Sequence, residues 1–265
     1  GIATSEQAII IEAYPGEKVV INGTLPITQD WEPYDNNGHV IYKTHLDTAA
    51  ISLEMGENFK TVYQLFINNR MMIPAQIINY KNPTDPTTGT PDFPERGTVW
   101  DGKPDELNQT KLLIDVDSPE EWSYNDSTGY LFIYTYDGLP PNEDNVRIRV
   151  LDRVLTSGNL ATYPNGIPYG IDGGEYITFK GIEFYAGAVG LFGTHNFTFE
   201  DCKFFFSTDN GGFNSNTPGL LHPTSMNQFL NGSSARVINC EFKYINDYPL
   251  NIFDCDGSLV ENCLF

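Results

Sequence analysis

Four stretches decide the fold: Ile171…Ile182-Glu-Phe184, Leu191…Cys202-Lys-Phe204, Phe229…Cys240-Glu-Phe242 and Ile252…Cys263-Leu-Phe265. In each, an apolar residue is followed eleven positions later by Ile or Cys, and two positions after that by Phe. The blocks begin at 171, 191, 229 and 252. A repeat of twenty-odd residues with a fixed internal offset is the pattern of a stacked architecture. The short units inside it are strand-like: Tyr-Ile-Thr-Phe at 176–179, Phe-Thr-Phe at 197–199 and Ala-Arg-Val-Ile at 235–238. Strands that recur once per lap stack in parallel, about 4.8 Å apart, and lay equivalent side chains in ladders. The pattern predicts an all-β protein in which residues 151–265 form coils of a right-handed parallel β-helix.

Working outward, Ala8-Ile-Ile-Ile11, the Pro15-Gly16 turn and Val19-Val-Ile21 give strand, tight turn, strand, so residues 1–30 read as a first coil. Residues 31–150 lose the repeat. Val40-Ile-Tyr42, 61–68, 111–116, 130–136 and 146–150 read as longer strands, and 82–110, with five prolines, as loop. This block reads as an inserted antiparallel β-sandwich-like domain, and no amphipathic helix of useful length is visible. The step from 191 to 229 is one coil with an insertion, whose Gly-, Asn- and Pro-rich residues 207–227 form a projecting loop of the kind that carries binding sites.

The chain has 265 residues, with 35 acidic and 15 basic, a formal charge of −20. That argues against nucleic acid and anionic membrane surfaces as partners and suits solubility outside the cell. No window is apolar enough for a membrane span. The first residue is Gly1, so the sequence is expected to be a processed or excised segment. Phe265 falls on a ladder position, so the winding is expected to continue or to be covered, with self-association through the open end as one route.

Cys202, Cys240 and Cys263 recur at one place in successive coils and read as small inward hydrophobes; a bridge between two of them is the alternative. Cys255 stands alone. No CxxC pair occurs, and His39, His45, His195 and His222 are scattered, which argues against zinc. Asn22, Asn108, Asn125, Asn196 and Asn231 head Asn-X-Ser/Thr sequons, candidate glycosylation sites of an extracellular or cell-surface glycoprotein.

Three segments carry a resemblance: residues 9–23 (Ile-Ile-Ile-Glu-Ala-Tyr-Pro-Gly-Glu-Lys-Val-Val-Ile-Asn-Gly), 64–75 (Gln-Leu-Phe-Ile-Asn-Asn-Arg-Met-Met-Ile-Pro-Ala) and 121–138 (Glu-Trp-Ser-Tyr-Asn-Asp-Ser-Thr-Gly-Tyr-Leu-Phe-Ile-Tyr-Thr-Tyr-Asp-Gly). They resemble, in order, segments of secreted right-handed β-helix proteins that act on polysaccharides. Some members of that group are glycoside hydrolases of the β-xylosidase or α-fucosidase sort. The resemblance implies a β-sandwich inserted after the first coil and hydrolytic carboxylates on the coils. The chain departs from the group after Ala75, where Gln76-Ile-Ile-Asn79 replaces a frequent Arg-Trp-Pro-Asn. Of the signature pairs of pectin hydrolases it has only the fragment Thr208-Asp209.

Glycoside hydrolysis needs two carboxylates, about 5 Å apart for retention and about 6.5–9.5 Å for inversion. Asp209 lies seven residues past Cys202 and Asp247 seven past Cys240, so the repeat makes them ladder neighbours. Asp254 and His222 are expected near the same face. The competing roles are turn-capping by an Asp ladder, or a Ca2+ ion held by Asp209, Asp247 and Asp254. Trp31 and Trp100 are candidate sugar platforms, Trp122 a core residue, and Phe184, Phe204, Phe242 and Phe265 a buried stack. The sequence thus predicts an extracellular, carbohydrate-related β-helix protein with a glycan partner, a glycoside hydrolase acting on a neutral polysaccharide if it is an enzyme. The alternatives are a non-catalytic structural or adhesive glycoprotein, such as a filament subunit, and a glycan-binding module.

Overall fold

A computed structural model describes residues 8–56, 59, 61–62, 64–74, 116–141, 146–151, 153–157, 174–207, 227–230, 232–245 and 249–265. These residues are mostly β-strand, with one α-helix among them. They divide into two units, one built from residues 8–23 and those from 151 onward, the other from residues 24–150.

The first unit holds three parallel sheets. Ile9–Glu12 (β1), Ile177–Lys180 (β13), Thr198–Glu200 (β16), Arg236–Ile238 (β19) and Leu259–Glu261 (β22) make one. Val19–Asn22 (β2), Ile182–Tyr185 (β14), Lys203–Phe205 (β17) and Glu241–Lys243 (β20) make the second. Arg153–Thr156 (β12), Ala188–Phe192 (β15), Asn227–Leu230 (β18) and Leu250–Phe253 (β21) make the third. From β12 onward every third strand returns to the same sheet, and each pair is parallel.

Register follows the sequence repeat. Leu191 pairs with Phe229 and Phe229 with Ile252, while Phe204 pairs with Phe242. The eleven-residue offset is therefore the path from a third-sheet strand, across a first-sheet strand, to a second-sheet strand. Because β17 pairs directly with β20, the long step from 191 to 229 is one lap with extra chain in it. Ile171 lies outside the described residues; the strand beside β15 is β12, which starts further back in sequence than the repeat alone indicates.

The inside of this unit is apolar. Phe179, Phe184, Phe199, Phe204, Phe229, Val237 and Phe242 are buried. Phe184, Phe204, Phe242 and Phe265 stack in one column, with centroids 5.0, 4.6 and 5.0 Å apart and planes within 11°. That spacing is the inter-strand distance itself. Phe265, expected to be buried with the others, is 61% exposed; burying a ring such as the other three stabilises the fold by about 1.5–3 kcal/mol.

Cys202, Cys240 and Cys263 repeat one geometry. Each Sγ faces the carbonyl two residues back and one on the previous lap: Glu200 and Phe179, Ile238 and Phe199, Glu261 and Val237. Cys255 does the same at the end of β21, facing Phe253 and Phe229. It is the third-sheet counterpart of the others and does not stand alone. All four are free thiols, and the neighbouring Cys202 sulfur together with burial holds the Cys240 thiol well above its ordinary value.

The laps turn at left-handed residues. Gly181, Asp201, Asn239 and Asn262 all have φ between 53° and 67° between the first and second sheets. Ala186, Phe206 and Tyr244 have φ of 52–59° after the second. Asp and Asn enter this region more readily than other non-glycine residues, which explains their recurrence at the first of these corners. Asn239 Nδ2 donates to Asp201 Oδ1 at 3.2 Å, a polar rung between laps.

The second unit has two sheets. Glu32–Asn36 (β4), His39–His45 (β5), Tyr130–Ile133 (β10), Glu121–Asn125 (β9) and Ile73–Pro74 (β8) pair in that order, antiparallel except for β8 with β9. Thr24–Pro26 (β3), Val146–Arg149 (β11), Leu65–Ile67 (β6) and Arg70–Met71 (β7) form the other, wholly antiparallel. The helix, Thr48–Met55 (α1), buries no side chain. Its ends define it instead: Asp47 accepts from the Ala50 amide at 2.9 Å, and Gly56 closes it at φ 72°.

Candidate functional site

On the outer faces of the first unit, charged residues alternate from lap to lap. Glu183, Lys203 and Glu241 share one register column. Lys18 Nζ lies 3.0 Å from Glu183, Lys180 Nζ lies 2.8 Å from Glu200, and Lys243 pairs with Glu241. The first two pairs join neighbouring laps and the third lies within one strand, and each lysine is open to solvent, which screens its pair. These carboxylates serve the stack.

A second column runs through the corner before the first sheet: Glu175, His195, Ser233 and Asp256 bridge one another in parallel. His195 Nδ1 and Ser233 Oγ are 2.8 Å apart. Sequence reading missed this column, because its members are four different residue types and only the register brings them together. Ser233 is also the hydroxyl residue of the Asn231 sequon. A third internal link is Asn227, fully buried: its Oδ1 accepts from the Val189 amide at 3.0 Å and its Nδ2 donates to the Pro249 carbonyl at 2.9 Å.

Among the predicted site residues, Asp209, Asp247, His222, Trp100, Asn108 and Asn231 lie outside the described residues, as do most of the 207–227 loop and the 82–110 stretch. Asp254 is exposed, one position past the Phe253–Leu230 pair, at φ 50°. Gly193, one past the Phe192–Leu230 pair, holds the same corner at φ 60°. Asp254 follows β21, whereas Asp247 precedes it in sequence. Trp31 is half-buried with its indole N–H turned inward, and Trp122 is buried in β9. Asn22 is exposed on β2. Asn125 uses its side-chain carbonyl to accept from the Ser127 and Thr128 amides, and Asn196 sits at a left-handed corner with φ 54°. Among the described residues no three His, Cys, Asp or Glu side chains converge on a point that would hold a metal ion.

In the second unit a cleft of about 620 Å³ opens between the β6–β7 hairpin and the turn at 135–141. Arg70 and Glu120 form an ion pair at 2.6 Å on one wall, and the Arg70 guanidinium lies 5.4 Å from the centre of the Tyr136 ring. Nothing in the alternation of these residues marks them out beforehand. The nearest signal is Ile67-Asn-Asn-Arg70, in which paired Asn residues suit a two-residue hairpin turn.

Elsewhere in this unit burial pushes the Tyr124 phenol up to about 12, with Asp126 adding to the shift. Burial likewise raises the Asp126 carboxyl, against a hydrogen bond from Thr61.

No protein-family model matches the chain, and no curated protein matches it. Its structure is similar to a solved structure titled "Glycoside hydrolase", with a TM-score of 0.59 at 10% sequence identity. The likeness covers 94% of this chain and 56% of that one, so the chain spans little more than half the length of its structural neighbour. At this identity the likeness establishes a shared fold.

Proposed function

We propose that the three parallel sheets wind as a right-handed β-helix, that residues 31–150 are an inserted β-sandwich-like domain, and that the protein is an extracellular glycoside hydrolase acting on a neutral polysaccharide. The observation that carries this reading is the likeness in fold to a glycoside hydrolase over 94% of the chain. The strand order supports it, because every third strand returns to its sheet, so positions that repeat in sequence come to one level on successive laps.

Asp209 and Asp247 are the catalytic pair in this proposal, one as general acid and the other as nucleophile or base. The direct pairing of β17 with β20 supports treating the segments after these strands as neighbouring laps. Two carboxylates so placed raise one another's proton affinity, which keeps one of them protonated for donation to the leaving oxygen. Asp254, at a left-handed corner beyond β21, is assigned a turn role. The formal charge of −20 favours a neutral over an anionic glycan.

Release of reducing ends from a panel of neutral polysaccharides tests the activity. Asp209→Asn and Asp247→Asn should each abolish turnover while leaving the melting temperature in place. Hydrolysis that survives both substitutions removes the assignment.

A further inference from the structure

The cleft in the second unit is lined by none of the acids assigned above, and its walls have a consistent chemistry. Tyr136 is 74% exposed. Its turn is braced at three points: Thr135 Oγ1 donates to the Leu139 carbonyl at 2.8 Å, the Leu139 amide donates to Asp137 Oδ1 at 3.0 Å, and Tyr42 Oη donates to the Gly138 carbonyl at 2.8 Å. An aromatic ring held out to solvent by a braced turn loses little freedom when a flat ligand settles on it.

Beside Tyr136, one face of whose ring the Arg70 guanidinium covers at 5.4 Å, backbone strain fixes the polar groups. Glu120 has φ 77°, a region that L-residues with long side chains avoid at a cost of about 1–2 kcal/mol. Its amide donates to the Tyr134 carbonyl at 2.7 Å, and its own carbonyl accepts from the Ile73 amide at 2.8 Å, so the strain is locked in by sheet bonds. The result aims the carboxylate at Arg70, whose NH2 lies within 2.8 Å of both carboxylate oxygens. Arg70 is itself presented by the hairpin through Asn68 and Asn69, at φ 53° and 62°. Strain of this sort, where it is observed, is a pointer to function.

A fixed donor beside a fixed acceptor suits a ligand group that both accepts and donates, and a pair of neighbouring hydroxyls does so. The apolar ring of Tyr136 meets the C–H face of a sugar. Glu120 neutralises Arg70, and Asp137 adds a further carboxylate to the lining, so the cleft repels anions. Its volume falls within the range of about 300–1,000 Å³ common to small-ligand sites.

We infer that this cleft is a saccharide-binding site that holds a neutral sugar unit of a glycan, stacked on Tyr136 and hydrogen-bonded by Arg70 and Glu120. It recognises and does not cut, and its occupancy is independent of the acids of the first unit.

The test is titration of the whole chain carrying Asp247→Asn with xylohexaose, cellohexaose, mannohexaose and hexagalacturonate, followed by calorimetry. At least one neutral hexasaccharide is expected to bind and hexagalacturonate is expected not to. Tyr136→Ala and Arg70→Gln should each weaken that binding at least tenfold, and Tyr136→Trp should retain it. Because Arg70→Gln removes an ion pair and can loosen the hairpin, the exposed Tyr136→Ala is the decisive variant. Binding left intact by Tyr136→Ala, binding of hexagalacturonate in preference, or no binding of any neutral probe overturns the inference. Loss of hydrolysis in Asp247→Asn with binding kept separates this site from the catalytic assignment.

Discussion

Phe204 and Phe242 lie ring on ring, 4.6 Å apart and 5° from parallel, although the chain between them holds the longest departure from the repeat. Direct pairing of their strands makes the two rings adjacent members of one column. Phe242→Ala should therefore destabilise the first unit by about 3–5 kcal/mol, through lost burial and a cavity the neighbouring rings cannot fill. A double-mutant cycle of Phe204→Leu with Phe242→Leu should show a coupling of about 0.5–1.5 kcal/mol in denaturant unfolding. Additive effects would mean the rings do not meet.

Asn227 tests a different kind of link. It satisfies a backbone amide of the lap before and a carbonyl of the lap after while wholly out of water. Asn227→Leu keeps the volume but strands both groups, and should cost about 2–4 kcal/mol on that account. An unfolding midpoint equal to that of the parent would show that water replaces the side chain.

Gly232 is required by space and not by dihedral angle. A Cβ there would come within 2.1 Å of the Thr194 carbonyl oxygen on the lap before. Gly232→Ala should push the two laps apart and lower stability by at least about 1–3 kcal/mol. It should also disturb the neighbouring His195–Ser233 hydrogen bond, visible as a shift of the His195 ring resonances.

Tyr124 gives the protein an alkaline limit. Its phenol titrates near 12 in the folded chain against about 10 when unfolded, so the unfolded state loses its proton first as pH rises. Stability from this group is complete below pH 10 and is lost between about pH 10 and 12, about 1–2 kcal/mol once solvent screening is allowed for. Tyr124→Phe should flatten that part of the stability–pH curve; an unchanged slope would assign the loss to other groups.

The thiols should divide by exposure. Cys202 and Cys240 are buried, whereas Cys255 and Cys263 are only partly so. A thiol reagent under native conditions should label the latter pair first, and Cys240 only as the fold opens. Peptide mapping of a time course reads the order directly.

How much of this was legible in the sequence depends on how each element is held. Leu191, Phe229 and Ile252, with Cys202, Cys240 and Cys263, announce themselves because they face the core, where every lap needs an apolar residue at the same level. The second unit gives no such signal. β3 pairs with β11 across more than a hundred residues, and no local pattern encodes that partnership. α1 is invisible to periodicity because it has no buried face, although Asp47 and Gly56 mark its ends for a reader who looks for caps. The Arg70–Glu120–Tyr136 wall is assembled from three separate segments, and Glu120 takes part through a dihedral angle its residue type does not favour. Sequence reading is weakest where strain, and not preference, sets the position of a group.

Between the second and third sheets the connection is residues 186–187 on one lap, 206–226 on the next and 244–249 on the one after, yet the strands on either side keep their register throughout. The scaffold is thus indifferent to how much polypeptide is spliced in at that bend. A lineage could lengthen one connection and leave every rung of the frame where it stood.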